Sequence, residues 1–385
     1  MNSKYDVIVV GGGPGGCTAA KECAEKGLRV LLLERHREIG VPVRCGEAVG
    51  KAGLTEFFDP DHRIVKRYVK KFDIRFIAPN GETLDLYHKS EAAVLDRKIF
   101  DPELSVMAAN AGAKILTSAN VTGLLTENEY ITGVKYEYGG KEYKADSRIV
   151  IGADGIESRI GRWAGVDTVP DFNDMESCVQ YNVSDKNPVT DRMDFYFGKN
   201  IAPSGYLWVF PKINKTLNIG VGVNGPGSKD KKAGEYLHDF IRNKYPAASI
   251  LGSTCGGVVC ADTLKNISGN GFMLVGDAAH QTNAVSGGGI INAMKGGRAA
   301  AKIAVQAVRS KDVSSVSLHK YDREWNKIQG RMNHKFYLIK GIIENISDDT
   351  LNTITSDLNK YPRKKRTLIN IFRTVLFKHP KLILE

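Results

Sequence analysis

An apolar run, Tyr5-Asp6-Val7-Ile8-Val9-Val10, leads straight into Gly11-Gly12-Gly13-Pro14-Gly15-Gly16. Its β-branched residues and lack of alternation predict a strand buried on both faces of a parallel sheet. The small residues of Cys17-Thr18-Ala19-Ala20-Lys21-Glu22-Cys23-Ala24 predict a helix lying close to that sheet, ended by Gly27. A second apolar run, Arg29-Val30-Leu31-Leu32-Leu33, ends in Glu34. Two more buried strands ending in glycine turns are read at Ser147 to Gly155 and at Gly271 to His280, and Gly287-Gly288-Gly289-Ile290-Ile291-Asn292-Ala293 opens another small-residue helix.

The pattern changes between about 170 and 261. Arg192-Met193-Asp194-Phe195-Tyr196-Phe197 and Leu217-Asn218-Ile219-Gly220-Val221-Gly222-Val223 alternate, which predicts antiparallel strands. Residues Phe72 to Leu86 are expected to add strands to that sheet. From Lys320 onward the chain reads as helical, with Phe336, Tyr337, Ile339, Ile342 and Ile343 supplying an apolar face.

The 385 residues are 42% hydrophobic and 25% charged, ordinary for a globular chain with a sizeable core. No run reaches bilayer-spanning length and no signal peptide pattern opens the chain, so a cytoplasmic protein is expected. The six cysteines lack the paired short spacings of zinc or iron–sulfur sites, so no metal is expected and the thiols are read as mainly reduced, with a Cys255–Cys260 bridge left open. A net charge of +11 favours acidic headgroups, an acidic redox partner or nucleic acid. The last is disfavoured, because neither an RNA-binding aromatic pattern nor a zinc-finger spacing is found.

Gly11, Gly13 and Gly16 fit G-x-G-x-x-G, with Gly15 in the same turn. The first glycine permits the turn, the second lets backbone approach a pyrophosphate, and the third permits close helix packing. The following helix start offers free N–H groups and a positive dipole end. Glu34 stands where a carboxylate accepts from both ribose hydroxyls of an adenosine.

These blocks, together with Asp154-Gly155, Asp277 in the later strand turn and the helix opened by Gly289-Ile290, resemble the p-hydroxybenzoate hydroxylase-like flavoproteins over roughly residues 1 to 320. The resemblance implies FAD, with Asp277 on its ribityl chain and Gly289 and Ile290 at its pyrimidine end. Asp96-Arg97-Lys98-Ile99-Phe100-Asp101-Pro102-Glu103-Leu104 matches R-x-x-F-D-x-x-L, implying that Arg97 contacts the cofactor, and Val121 would present its backbone to the adenine. The implied architecture is α/β: a Rossmann-type FAD-binding domain (1–71, 93–169 and 262–319) interleaved with a smaller antiparallel-sheet substrate domain (72–92 and 170–261), then a C-terminal helical region (320–385).

Pro203-Ser204-Gly205-Tyr206-Leu207-Trp208-Val209-Phe210-Pro211 fits P-x-x-Y-x-W-x-F-P and looks like the isoprenoid-substrate motif of geranylgeranyl reductases. Arg44-Cys45-Gly46-Glu47-Ala48 is similar to the segment whose cysteine lies beside the flavin in that family, which implies Cys45, Gly46 and Ala48 as cofactor neighbours. Alternation puts Tyr206, Trp208 and Phe210 on one side of a strand, an aromatic wall for a polyene chain, although the spacing alone also suits a core strand. Cys45, Tyr206 and Trp208 are the candidate catalytic residues.

The implied reaction is saturation of geranylgeranyl chains on membrane lipid precursors, with an archaeal-type diether phospholipid as the first choice. A prenyl diphosphate, a menaquinone tail and a chlorophyll precursor are the other substrates of this class. Electrons would come from a diffusing donor: a ferredoxin, a reduced deazaflavin or NADPH. Arg363, Lys364, Lys365, Arg366, Arg373, Lys378 and Lys381 interleave with Leu368, Ile369, Ile371, Phe372, Val375, Leu376 and Phe377, which suits peripheral attachment to the inner face of the membrane or a terminal helix packed on its own domain. The competing classes are a flavin monooxygenase of the same fold and a non-enzymatic lipid- or RNA-binding protein.

Overall fold

The computed structural model describes residues 4–87 and 91–367. The chain forms two compact units, one of Met1–Val43, Arg97–Pro170 and Val259–Tyr337, the other of Arg44–Asp96, Asp171–Val258 and Leu338–Glu385.

In the first unit, Lys4–Val10 pairs in parallel with Val30–Leu33 on one side and Lys141–Gly152 on the other. Phe272–Leu274 and Lys114–Leu116 extend the parallel array outward. Val7, Ile8, Val9, Ile149, Val150 and Ile151 are wholly buried, as expected for unbroken apolar strands covered on both faces. The first helix, Pro14–Glu25, starts earlier than its apolar residues suggest, because Pro14 supplies the helical φ and no N–H to leave unpaired. The long helix Ile290–Ser310 packs against it. Gly297 makes this possible, since a Cβ there would stand 2.3 Å from the Gly15 carbonyl oxygen.

The second unit is built on a seven-stranded sheet. Met175–Ser184, Thr216–Asn224, Ala202–Pro211 and Arg192–Gly198 pair antiparallel in that order. Asp73–Ile77 then joins in parallel and Thr83–Leu86 antiparallel, so the segment near Phe72 does add strands. The helix Ala233–Lys244 buries Ala233, Leu237 and Ile241 against Leu207, Val209, Ile219 and Val221 on one face. The opposite face carries Trp208 and Phe210, packed with Phe72, Ala92, Val94 and Met193.

The division differs from the expected boundaries, most of all at 44–71 and in the C-terminal region, which is split between the two units. Residues 44–71 group with the second unit, because Ala48–Gly50 and Val69–Lys70 both pair with Ala92–Val94 in a small antiparallel sheet. Residues 320–337 group with the first unit, where Tyr321 donates to the Leu274 carbonyl (2.8 Å) and Trp325 to Thr263 Oγ1 (3.1 Å). On the helix Arg331–Glu344 the expected apolar face is only half-buried, and the buried positions are the polar Asn333 and Lys340. Hydrogen bonds as well as the packing of Ile342 on Leu84, Leu86, Ile354 and Leu358 hold that helix: Asn333 donates to the Gln281 and Thr282 carbonyls, while Lys340 donates to Asp174 (2.7 Å).

Of the expected basic terminal segment, Arg363 binds Asp73 (2.7 Å) and Arg366 donates to the Tyr361 and Asn359 carbonyls. Leu368, Ile369, Ile371, Phe372, Arg373, Val375, Leu376, Phe377, Lys378 and Lys381 lie outside the described residues. Among the described residues no helix is long and apolar enough to cross a membrane.

Candidate active site

The glycines of the first turn serve different neighbours. A Cβ on Gly11, which has φ +104°, would strike the Ala153 carbonyl oxygen at 2.2 Å, and one on Gly16 would strike the Gly11 oxygen at 2.0 Å. Gly15 is likewise required by packing, with Val275 Cγ1 at 2.8 Å. Gly13 alone of these four opens onto no protein atom within 4 Å. Its neighbouring helix start carries neither a side-chain cap nor an acidic residue, and the same holds for the helix start at Gly289. Uncapped N–H groups beside a space cleared of side chains fit the pyrophosphate of a dinucleotide.

Glu34 is buried in that turn. Its Oε2 accepts from the Gly12 amide (2.7 Å), and its Oε1 accepts from the His36 amide (2.8 Å) and lies 2.6 Å from His36 Nδ1. Two backbone amides thus engage the carboxylate, and its remaining lone pairs can take a further donor. Arg97, at the start of the helix Arg97–Asn110, is forked on the buried Asp101 through Nε (2.6 Å) and Nη2.

Burial pushes the Asp277 carboxyl above the usual carboxylate range, against the pull of the Thr282 hydroxyl and the charge of Arg97. Its Oδ1 lies 3.2 Å from where a Cβ on Gly289 would stand, so glycine there leaves the carboxylate uncovered. Ile290 is buried as the first residue of its helix, and Val121 is buried on the strand Asn120–Glu127. Among the described residues Asp154 Oδ1 is a buried oxygen without a hydrogen-bond partner, beside the turn at Gly11. An orphaned acceptor, a forked arginine and two uncapped helix starts within one unit suit FAD, whose ribityl hydroxyls and phosphates supply donors and charge.

Cys45, Gly46 and Ala48, expected beside the same cofactor, belong to the second unit. There Gly46 lies under the aromatic strand, its missing Cβ 3.3 Å from Phe210 Cε2 and 3.4 Å from Trp208 Nε1, and Ala48 packs on the same cluster. The Cys45 amide donates to Gln180 Oε1 (3.1 Å) and its thiol accepts from the Glu47 amide (3.2 Å). Tyr206, Trp208 and Phe210 share one face, with ring centroids 6.0 and 6.3 Å apart along the strand. Phe195 completes the wall, 5.1 Å from Phe210 and 5.6 Å from Tyr206.

Two polar groupings in this unit escaped the reading of the sequence. Glu47, 1% exposed and at φ +69°, binds Lys212 Nζ (2.7 Å) and Asn218 Nδ2 (3.0 Å). Asn218 in turn accepts from Trp208 Nε1 (2.9 Å) and donates to the Cys45 carbonyl (3.1 Å), so one network holds the cysteine loop to the aromatic strand. Lys212 directly follows Phe210-Pro211, and that adjacency was the available signal.

The second grouping puts three carboxyls, Asp174, Glu176 and Glu344, around the single ammonium of Lys340. Among the described residues Glu176 forms no ion pair and its buried Oε2 has no hydrogen-bond partner, and burial raises it to about 8. Burial likewise pushes the neighbouring Cys178 thiol up to about 12. Gly222 lies between these two groups and Tyr206, its register partner on the motif strand, and a Cβ there would stand 3.2 Å from Cys178 Sγ.

A parallel-sheet unit with an open phosphate turn, and a second unit whose sheet presents an aromatic wall, define a flavoprotein-type oxidoreductase. The model of the geranylgeranyl reductase catalytic domain matches residues 174–258, and that of an NAD(P)-binding Rossmann-like domain matches residues 9–72. The chain is 41% identical to a digeranylgeranylglycerophospholipid reductase of Methanocella arvoryzae, over 100% of this chain and 99% of that one. It is also 41% identical to digeranylgeranylglycerophospholipid reductase 2 of Methanococcoides burtonii, covering 100% and 95%. A solved structure of a geranylgeranyl bacteriochlorophyll reductase-like protein from Thermoplasma acidophilum superposes with a TM-score of 0.91 at 32% identity, covering 100% and 98%. The chain belongs to the digeranylgeranylglycerophospholipid reductase family.

Proposed function

We propose that this protein is an FAD-dependent reductase that saturates the double bonds of geranylgeranyl chains carried on a glycerophospholipid precursor. The observation that carries the reading is the continuous aromatic cluster of Tyr206, Trp208, Phe210 and Phe195 on the sheet of the matched catalytic domain, in which Trp208 and Phe210 are buried and Tyr206 and Phe195 half-buried. An isolated alkene offers no polar handle, so the protein contributes by excluding water and fixing the chain against aromatic faces. Those faces also stabilise any cationic character that develops at carbon during reduction.

FAD, when bound and reduced, supplies the hydride. The residues of the first unit that would hold it are Gly11, Gly13, Gly15, Gly16, Glu34, Arg97, Val121, Asp277, Gly289 and Ile290. The proton that completes each saturation comes from the protein side, with Cys45 and Tyr206 as positioning or donating groups. Electrons arrive from a diffusing donor such as a ferredoxin, a reduced deazaflavin or NADPH. A net charge of +11 supports peripheral attachment to the anionic inner face of the membrane.

The test is anaerobic incubation of FAD-loaded, dithionite-reduced protein with digeranylgeranylglycerophospholipid, followed by mass spectrometry. A gain of two hydrogens per double bond is expected. An unchanged lipid, together with NADPH-driven oxygen uptake on an aromatic acid, overturns the reading in favour of a monooxygenase.

A further inference from the structure

Where the aromatic strand ends at Pro211, the second unit carries a partly open pocket of about 200 Å³ lined by Tyr68, Lys70, Phe72, Val94, Lys212 and Lys215 among others. Its lining is divided by chemistry. Phe72 and Val94 belong to the cluster that packs Trp208 and Phe210, so the apolar side continues the aromatic wall. Three lysines, Lys70, Lys212 and Lys215, are also among the lining residues. Lys212 is held by Glu47 at 2.7 Å, with Asp96 at 3.8 Å. Lys70 and Lys215 are exposed and have no carboxylate within ion-pair distance among the described residues.

Tyr68 contributes a buried hydroxyl to the same lining. Tyr68 is 2% exposed, and among the described residues its hydroxyl finds no acceptor; the Asp96 backbone lies beside its oxygen. Burial raises the phenol above its ordinary range, with the negative charges of Asp96 and Glu47 acting in the same direction and Arg67 opposing them. Tyr68 is therefore a donor without an acceptor. A buried donor of this kind costs stability unless a ligand satisfies it.

A strong acceptor with negative charge, bonded to an apolar chain, meets both halves of this lining. Phosphate oxygens accept from a hydroxyl and from lysine ammonium groups by charge-assisted hydrogen bonds. The volume suits a headgroup and is smaller than the pockets that enclose whole ligands. An acidic protein partner would engage the exposed lysines but would leave the buried hydroxyl and the aromatic side unmatched.

We propose that this cavity seats the phosphate of the isoprenoid phospholipid, with Tyr68, Lys70 and Lys215 as its donors and the chain leaving past Phe72 toward the aromatic wall. This assignment rests on the reductase reading above and names where its substrate is gripped. Head-first anchoring would let the protein discriminate a phosphorylated lipid from the corresponding neutral alcohol.

The experiment compares FAD-loaded wild-type protein with Tyr68→Phe and with Lys70→Met/Lys215→Met. Binding of digeranylgeranylglyceryl phosphate and of uncharged digeranylgeranylglycerol is followed by intrinsic tryptophan fluorescence. Wild type should bind the phosphate lipid about 10- to 100-fold more tightly, as expected for hydrogen bonds to a charged group. Each variant should lose about tenfold or more of that preference while binding the neutral lipid as wild type does.

Inorganic phosphate should compete with the phosphorylated lipid and leave the neutral one bound. Equal wild-type affinity for the two lipids overturns the headgroup assignment, even if free phosphate binds. Equal loss of both lipids in the variants overturns it as well. Phosphate-dependent binding of a lipid that is never reduced would sink the reductase reading and leave the cavity assignment standing. Reduction of both lipids at equal efficiency, unaffected by the variants, would do the reverse.

Discussion

The indole of Trp208 lies across Gly220 of the neighbouring strand, so close that a Cβ on Gly220 would stand 2.2 Å from its Cζ2. Alanine at position 220 must push the ring aside and break the bond from Nε1 to Asn218. Gly220→Ala should therefore destabilise the protein by about 1–3 kcal/mol, as overpacking does, and alter tryptophan emission. Unchanged melting temperature and emission would mean that the ring does not rest on that glycine.

Glu47 and Lys212 form a buried pair of opposite charges. Removing one partner strands the other, at a typical cost of about 3–5 kcal/mol. Glu47→Gln and Lys212→Met should each lower denaturant stability substantially, while the double variant should fall well short of the sum. Strict additivity in a double-mutant cycle would show that the two groups are not coupled.

Glu176 sets a pH dependence. Its ordinary value is 4.5 and its folded value about 8, so the folded chain retains a proton that the unfolded chain releases between those limits. Stability is then full below about pH 4.5 and falls as pH rises through the window to about 8, by up to roughly 1.4 kcal/mol per pH unit. Glu176→Gln, neutral at every pH, should flatten that fall. A wild-type stability profile with the same slope as the variant's would show that Glu176 is already ionised at neutral pH.

The glycine turn separates folding from binding. Gly13→Ala meets no protein atom and sits at φ −72°, so the apoprotein should melt within about 0.5 kcal/mol of wild type, whereas FAD affinity should fall. Gly11→Ala, strained and clashing, should destabilise the apoprotein itself. Calorimetry and FAD titration distinguish them; retained FAD affinity in Gly13→Ala would mean that no phosphate approaches there.

Cys45→Ser tests the thiol. Alkene reduction should slow while the flavin spectrum persists, since the loop is anchored by Gln180 and Asn218 through backbone groups. Unchanged turnover removes the thiol from the reaction.

Elements set by short-range pattern were readable from the residues. Val7 to Val10, Leu31 to Leu33 and Ile149 to Ile151 form the parallel core because continuous β-branched and aliphatic runs need cover on both faces. The facing of Tyr206, Trp208 and Phe210 followed from strand alternation.

Long-range polar pairing left no periodic trace. Nothing local joins Lys340 to Asp174, or Glu47 to Asn218, across 166 and 171 residues. The grouping of residues 44–71 was misjudged for the same reason, since two- and three-residue strands finding Ala92–Val94 carry almost no pattern.

The close approach of Gly297 to the Gly15 carbonyl sets side by side two helices whose starts both lack side-chain caps. Neither anion-facing end can therefore drift without dragging its twin. The protein should thus accept or release its cofactor as a single event, with the apo form loosening both helices in concert.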